Sequence, residues 1–316
     1  MENIVPATPE NIARAAARLR SGELVAFPTE TVYGLGANAL DAAAVAKIFA
    51  AKGRPSNNPL IVHIADVADA TSLVSEWPAT AQRLAEAFWP GPLTIVGKKS
   101  GAVPDLVTAG GATVAVRCPA HPIARELLRL AGVPIAAPSA NRSGELSPTT
   151  AEHVHQSLGD RVGFILDGGP CPGGLESTVI DLSGTVPRLL RPGLIALPQL
   201  EAMIGQIETV NENAEGALPS PGMLAKHYSP RTALECAATA EEADFLVTLY
   251  ETAGLKVAKY EWNANPAIAA ANLYADLHEL DHSGYDRIIV AMPPDTEEWR
   301  AIRDRLTRAA AEDDAG

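Results

Sequence analysis

The chain has 316 residues, 47% of them hydrophobic, and a formal net charge of -13 at pH 7. This length suffices for two domains with full cores, which excludes disorder as the default state. The charge argues against a broad basic face for nucleic acid, because residues 231–316 alone hold 17 acidic and 8 basic side chains.

Further absences narrow the class of protein. No run approaches the roughly 18 consecutive apolar residues of a membrane span, and "MENIVPATPE" lacks the basic and apolar regions of a secretion signal. Cys118, Cys171 and Cys236 lie far apart and form no CxxC pair, so neither zinc nor a disulfide framework is predicted. We therefore expect a reduced, cytoplasmic protein.

The first two hundred residues predict a mixed α/β domain. Thr8 and Gly22 bound a first helix, "ELVAFP" is typical of a buried strand, and "DAAAVAKIFAAKG" predicts a helix between Asp41 and Gly53. Six β-rich runs follow, namely "LIVHI", "LTIVGK", "TVAVRC", "PIAAPSA", "GFILDGG" and "STVIDL". Further helices are predicted near 78–88, 121–131 and 149–159. Because several strands follow one another directly, we expect a mixed twisted sheet with flanking helices, not a strictly alternating one.

The chain changes character at residue 206. Residues 206–230 are polar and rich in glycine and proline, which predicts a linker. Residues 231–316 then follow a β-α-β-α-β-α pattern, which predicts a small three-layer parallel-sheet domain of Rossmann-like type. The predicted division is a first domain over 1–205, the linker, and this C-terminal domain.

Two common nucleotide-binding fingerprints are incomplete. "GLGANA" at 34–39 matches GxGxxA, but the acidic residue expected about 20 residues later is missing, since that region contains "GRPSNNP". "IVGKKSG" lacks the first glycine of a P-loop. A nucleotide would therefore need another kind of site.

The stretch "AKGRPSNNPLIVHI", at 51–64, offers such a site. Lys52 and Arg54 lie on a loop stiffened by two prolines, and Asn57 and Asn58 add neutral donors. This loop could bind polyphosphate oxygens through charge-assisted hydrogen bonds, and a solvated basic loop is the alternative. His63, on the following strand, is either a buried core histidine or part of the same site.

Polar residues also follow other predicted strands. Arg117 ends "TVAVRC" and needs an anionic partner there, either a protein carboxylate or a ligand. Ser139, Asn141, Ser177 and Arg191 each lie at a strand or loop end. Singly such residues are typical of turns and caps, but their repetition predicts one polar, cationic cleft. The sequence offers cationic and hydroxyl side chains but no recognisable nucleophile–base pair, which favours phosphoryl or nucleotidyl transfer.

Several of these segments together resemble a known family. "PTETVYGLGANA", "KGRPSNNPLIVHI", "APSANRSGELSPT", "GLESTVIDL" and "LLRPG" resemble the threonylcarbamoyl-AMP synthase family of YrdC type. "SPGMLAKHYSPR" resembles the linker of its long, two-domain form. The resemblance implies a YrdC-like catalytic domain over 1–205. It also implies synthesis of threonylcarbamoyl-AMP from L-threonine, bicarbonate or CO2, and ATP, with pyrophosphate released. The product would pass to a tRNA threonylcarbamoyl transferase complex.

The resemblance also implies roles for individual residues. The catalytic residues would be Lys52, Arg54, Ser139 and Asn141. Threonine would contact Thr31, His63, Arg117, the backbone at Ala137, and Ser177. ATP would contact Arg54, Asn58, Thr113, Ser139, Ser147, Arg191 and Tyr228. Mg²⁺ is expected with ATP, held by phosphates and water, so no metal site built from protein side chains is predicted.

Two questions stay open from the sequence. The linker, with Met223 and Tyr228, is either a lid over the nucleotide or a plain tether. The alternative function is a YrdC-like RNA- or nucleotide-binding module without synthase activity. The acidity of the chain and its 5% aromatic content disfavour that module, because stacking platforms for single strands need aromatic rings. No stable binding of nucleic acid is therefore expected.

Overall fold

The computed structural model describes residues 2–209 and 227–311. The segment 210–226 lies outside the described residues, and with it most of the predicted linker, including Met223. Among the residues that are described, no helix is long and apolar enough to cross a membrane.

A mixed sheet of eleven strands dominates the first part of the chain. Its strands are β1 (Ile4–Pro6), β2 (Val25–Phe27), β3 (Gly34–Asn38), β4 (Ile61–His63), β5 (Leu93–Lys98), β6 (Thr113–Arg117), β7 (Ile135–Ala136), β8 (Ile165–Asp167), β9 (Thr178–Asp181), β10 (Arg188–Arg191) and β11 (Glu208–Thr209). They lie in the order β1-β8-β2-β3-β7-β4-β6-β5-β9-β10-β11. The sheet contains both parallel and antiparallel strand pairs, so the predicted mixed sheet is confirmed.

Helices pack on both faces of this sheet. They are α1 (Pro9–Arg20), α2 (Ala42–Lys52), α3 (Ala70–Leu73), α4 (Ala79–Phe88), α5 (Pro122–Ala131), α6 (Ala151–Leu158) and α7 (Leu197–Ile204). The predicted ends of the first two are confirmed. The Thr8 side chain accepts a hydrogen bond from a backbone N–H of α1, and the Asp41 side chain accepts hydrogen bonds from backbone N–H groups of α2. Gly53 ends α2 with φ +60°.

"GLGANA" lies largely in β3 and makes no phosphate-binding turn, as its incomplete fingerprint predicts. A Cβ at Gly36 would come within 2.9 Å of the Phe27 and Ile135 side chains, so glycine is needed for close packing there. "PIAAPSA", predicted as a strand, forms only the two-residue strand β7, and Pro138, which has no backbone N–H to donate, follows two residues later.

The C-terminal part forms the predicted parallel sheet with helices on both faces. Its elements are β12 (Ala233–Ala237), α8 (Ala240–Thr252), β13 (Val257–Tyr260), α9 (Pro266–His282), β14 (Arg287–Ala291) and α10 (Arg300–Ala310). The strand order is β12-β14-β13, and both pairings are parallel. One apolar cluster joins the two parts of the chain, because Val32, Leu146 and Leu175 pack with Leu273 and Leu306.

Candidate functional site

A small polar cavity lies where several strands of the large sheet end. Its volume is about 50 Å³, enough for a few water molecules. The lining residues are Thr29, Thr31, Val32, Tyr33, Gly34, Arg54, Ile61, His63, Arg117, Ala137, Pro138, Ser139, Glu176, Ser177, Arg191, His227 and Tyr228.

The cavity gathers most of the predicted site residues from distant parts of the chain. Those on its wall are Thr31, Arg54, His63, Arg117, Ala137, Ser139, Ser177, Arg191 and Tyr228. Strand pairing explains part of this meeting, because β4 and β6 run in parallel with His63 directly beside Arg117. The wall does not include Lys52, Asn58, Thr113, Asn141 or Ser147.

Lys52 is buried and supports the loop after β7. Its Nζ donates to the Ser139 carbonyl at 2.6 Å and also to the Asn141 carbonyl. Burial, with the charge of Arg54 nearby, lowers the pKa of Lys52 well below its usual value. Lys52 is only 3% exposed, so the alternative of a solvated basic loop is wrong for this residue.

Arg54 is also buried, and its hydrogen bonds go to neutral groups. Its Nη2 donates to Asn58 Oδ1 at 2.5 Å and to the Pro59 carbonyl at 2.7 Å, while Nε donates to the Asn58 carbonyl. Burial lowers its pKa to about 10, so the guanidinium stays charged at neutral pH. Asn58 therefore orients Arg54, which faces the cavity.

Arg117 has found a protein carboxylate, one of the two partners that its buried position predicted. Its Nη2 donates to Glu30 Oε1 at 2.6 Å and its Nη1 to Thr31 Oγ1 at 3.0 Å. Burial raises the pKa of Glu30, but the charge of Arg117 outweighs burial and leaves that pKa below its usual value. The other oxygen of this carboxylate, Oε2, is buried without a hydrogen-bond partner.

His63 lies beside this pair as a neutral imidazole. It is 3% exposed, and its Nδ1 has no hydrogen-bond partner. Burial and the charge of Arg117 lower its pKa to about 3, so it is uncharged at physiological pH. An unpartnered polar atom next to a cavity is a ready contact for a ligand.

Arg191 closes another side of the cavity. Its Nη2 donates to the Ser177 carbonyl at 3.0 Å and to Ser177 Oγ at 3.2 Å, and its Nη1 approaches the Tyr228 hydroxyl at 3.5 Å. The Ser177 hydroxyl also shares a 2.7 Å hydrogen bond with Thr94. These contacts fix Ser177 and Arg191 against each other.

Glu176 is a cavity residue that the sequence did not single out. Its carboxylate accepts from Ser147 Oγ at 2.5 Å, from Arg305 Nε at 2.8 Å and from the Tyr274 hydroxyl at 3.1 Å. Burial raises its pKa, but the charges of Arg305 and Arg191 lower it to about 2. An acidic residue directly before the predicted strand in "GLESTVIDL" was the available signal.

Two protein-family models match the chain, one in each of its parts. The Sua5/YciO/YrdC family model, described as "Telomere recombination", matches residues 17–193. The model described as "Threonylcarbamoyl-AMP synthase, C-terminal domain" matches residues 195–311.

Relatives match along nearly the whole chain. The threonylcarbamoyl-AMP synthase of Bacillus subtilis is 45% identical, covering 95% of this chain and 92% of the relative. That of Pyrococcus abyssi is 42% identical, with 94% and 93% covered. The crystal structure of P. abyssi Sua5 complexed with L-threonine superposes with a TM-score of 0.91 at 41% identity, covering 97% of this chain and 96% of that one. The family predicted from the sequence motifs is confirmed: this chain belongs to the threonylcarbamoyl-AMP synthase family.

Proposed function

We propose that this protein makes threonylcarbamoyl-AMP from L-threonine, bicarbonate or CO2, and ATP, releasing pyrophosphate, for the modification of tRNA. The observation that carries the proposal is the meeting of Arg54, Arg117 and Arg191 on the wall of one small cavity. Three buried guanidinium groups favour a ligand set that is strongly anionic, and ATP with an amino acid supplies phosphates and a carboxylate.

Threonine would bind at the Arg117 side of the cavity. The guanidinium would take the substrate carboxylate, and the unpartnered Nδ1 of His63 would accept from the amine or the hydroxyl. Thr31, the backbone at Ala137, and Ser177 would complete the contacts. A neutral His63 suits this role, since a second positive charge would repel a protonated amine.

ATP would bind at the side formed by Arg54, Ser139, Arg191 and Tyr228. The two arginines would neutralise phosphate oxygens. Lys52 would act through the loop carbonyls of Ser139 and Asn141 that it holds. In our proposal Asn58 and Ser147 assist from positions beside the wall, and Thr113, at the start of β6, remains a predicted ATP contact.

The reaction needs no covalent enzyme intermediate. The neutral threonine amine attacks CO2, which forms the C–N bond of a carbamate and releases one proton. A carbamate oxygen then attacks the α-phosphorus of ATP, the bond to the β-phosphate oxygen breaks, and pyrophosphate leaves. The arginines would stabilise the charge that develops on the phosphate oxygens, the largest contribution that such a site makes.

Mg²⁺ would accompany ATP. Two carboxylates beside the cavity, Glu30 and Glu176, both accept hydrogen bonds from arginine. The described residues contain no cluster of three or more His, Cys, Asp or Glu side chains suited to a metal ion. We therefore propose phosphate oxygens and water as the ligands of Mg²⁺, which neutralises the departing pyrophosphate when bound.

We further propose that residues 1–205 are the catalytic domain, that 206–230 connect it to a second domain, and that 231–316 form that domain. The enzyme would act in the cytoplasm and pass its product to a tRNA threonylcarbamoyl transferase complex. Whether the connecting segment is a lid depends on residues outside the described part of the chain.

The test is pyrophosphate release from ATP by the purified protein, with threonine and bicarbonate omitted in turn. Release that requires both supports the proposed function. ATP binding without release, or release that is indifferent to threonine, would contradict it and favour a nucleotide-binding module.

A further inference from the structure

The C-terminal part of the chain packs directly on the loop that leads into β9. Gly174, in this loop, has φ +68°. A Cβ at that position would lie 2.4 Å from the Ala270 carbonyl oxygen and 2.3 Å from that of Ala271, both in α9. Only glycine lets the helix and the loop approach so closely. The loop therefore has its position set by α9.

The residue two positions later, Glu176, receives hydrogen bonds from both helices that cover the loop. Tyr274, in α9, donates its hydroxyl at 3.1 Å, and Arg305, in α10, donates its Nε at 2.8 Å. The Arg305 side chain is 1% exposed and also donates to the Pro192 carbonyl at 3.1 Å. Because both Glu176 and Arg305 are shielded from water, their charges interact strongly.

Arg305 also contacts a second residue of the cavity wall. Its Cζ lies 5.1 Å from the centre of the Tyr228 ring, within the range of a cation–π interaction. Arg305 itself does not line the cavity. It therefore touches two wall residues, Glu176 and Tyr228, from behind.

The charge of Glu176 creates a problem that Arg305 resolves. Glu176 shares the cavity wall with Arg191, a residue to which our proposed function assigns the phosphates of ATP. An uncompensated carboxylate there would repel those phosphates and compete with them for Arg191. A guanidinium on the far side of Glu176 cancels its charge without occupying the cavity.

We propose that Arg305, aided by Tyr274, is a positioning residue of the ATP site: it fixes and neutralises Glu176, so that this carboxylate does not repel the phosphates of ATP and Ser147 stays in place. This inference rests on the proposed function. It gives the C-terminal domain a direct part in nucleotide binding, through two side chains on α9 and α10.

The test compares three variants with wild type in ATP titration by calorimetry and in steady-state pyrophosphate release. Arg305→Met should raise both the Kd and the KM for ATP by about tenfold or more, because a carboxylate is left unpaired beside the phosphates. The double variant Arg305→Met with Glu176→Gln should recover most of this loss. Tyr274→Phe should raise the KM for ATP by roughly threefold, as one hydrogen bond to a charged group is lost.

The chain offers matched controls. Arg303→Met removes another arginine of α10, which pairs with the exposed Asp295. Tyr260→Phe removes another buried hydroxyl that donates to a carboxylate, that of Asp276. Both should leave the Kd and the KM for ATP within twofold of wild type. Arg305→Gln, which removes the charge and keeps an N–H donor, replaces Arg305→Met if that variant does not fold, with the same expected rise in the Kd for ATP.

The proposal is overturned if Arg305→Met binds ATP like Arg303→Met, or if the double variant binds ATP no better than Arg305→Met. A purely stabilising role of Arg305 predicts the first outcome, in which Arg305→Met has a lower Tm and an unchanged affinity for ATP in the folded protein. Failure of the proposed function is separate, since wild-type protein would then bind ATP without threonine-dependent release of pyrophosphate.

Discussion

Two buried arginine–glutamate pairs border the cavity, and they differ in how completely they are satisfied. Arg117 meets Glu30 at 2.6 Å and Arg305 meets Glu176 at 2.8 Å. Glu30 leaves its Oε2 without a partner, whereas both oxygens of Glu176 accept hydrogen bonds. Arg117 lines the cavity and Arg305 lies behind it.

We interpret the Arg117–Glu30 pair, which leaves a carboxylate oxygen unpaired, as part of a ligand-binding site. The Arg305–Glu176 pair, in which both carboxylate oxygens accept hydrogen bonds, supports that site. A buried ion pair alone is weak grounds for function, because desolvation of two charges offsets much of their attraction. The polar atoms left unpaired are more informative, since a buried oxygen without a partner costs free energy that a ligand can recover. Around Arg117, both Glu30 Oε2 and His63 Nδ1 are unpaired.

The largest expected effect concerns a third arginine, Arg54, whose hydrogen bonds go to neutral groups. Arg54→Ala should lower kcat/KM for ATP by roughly a hundredfold, about 3 kcal/mol of transition-state stabilisation, with the fold retained. Lys52→Ala should also lose most turnover, because the Ser139 loop loses its support. Near-normal pyrophosphate release in both variants would remove this side of the site from the account.

Arg117→Lys tests the role of the Arg117–Glu30 pair in threonine binding. A lysine keeps the charge but cannot bind Glu30, Thr31 and a substrate carboxylate at once, so kcat/KM for threonine should fall about thirtyfold or more. The control is Arg125→Lys, a change of the same kind on α5, where Arg125 contacts Cys118. Equal losses of kcat/KM in Arg117→Lys and Arg125→Lys would contradict a specific role of Arg117 in threonine binding.

Glu30→Gln tests whether the Arg117–Glu30 pair affects the binding of threonine and not that of ATP. It should raise the KM for threonine by about fivefold and leave the KM for ATP unchanged, because a charge-assisted hydrogen bond that orients Arg117 becomes a neutral one. Steady-state kinetics with each substrate varied in turn would measure this split. An effect on ATP alone would contradict the placement of threonine beside Arg117.

The contact between the two parts of the chain should also weaken in acid. His153, in α6, stacks on His278, in α9, with ring centres 3.9 Å apart. Burial lowers the pKa of His153 to about 3 and that of His278 to about 4, so the folded protein keeps both rings neutral. Unfolded histidines take up protons below about pH 6.5, so stability is complete above that pH and declines as pH falls toward 4.

The variant His153→Gln with His278→Gln isolates this effect. Between pH 7 and pH 4.5 it should lose at least about 1 kcal/mol less unfolding free energy than wild type, because two groups that resist protonation are gone. Urea denaturation at each pH gives the measurement. Parallel stability curves for the variant and the wild type would show that other groups carry the acid sensitivity.

The smallest expected effect comes from an exposed ion pair. Lys259 meets Asp244 at 2.6 Å, with the Asp244 side chain 65% exposed. Lys259→Met should leave both the unfolding free energy and the activity close to those of wild type, as solvent screens such pairs. A clear loss of stability in urea denaturation would contradict this expectation.

The sequence predicted Arg117 but not Arg305, for a physical reason. Arg117 ends an apolar strand, where a charge stands out against the pattern. Arg305 lies in "RAIRDRLTRAA", in which four arginines compete, and the helical period cannot tell which of them another domain will bury. Glu176 was missed likewise, since its partners Tyr274 and Arg305 lie about a hundred residues or more away.

Other predictions located a residue without its contacts. Lys52 was assigned to the site by its neighbours in sequence, yet its Nζ faces loop carbonyls and not the cavity. The sheet order explains why His63 and Arg117 meet, and strand order is not readable from short β-rich runs. The family motifs supplied what local patterns could not, because they carry the positions of residues that only the folded chain brings together.

The proposed synthesis of threonylcarbamoyl-AMP is tested by the mass of the nucleotide product formed from ATP, threonine and isotopically labelled bicarbonate. We expect an adduct that contains AMP, threonine and the labelled carbon, formed together with pyrophosphate and absent when threonine is omitted. AMP or ADP without the labelled carbon would contradict it, and would show that the cavity binds a nucleotide for a different reaction.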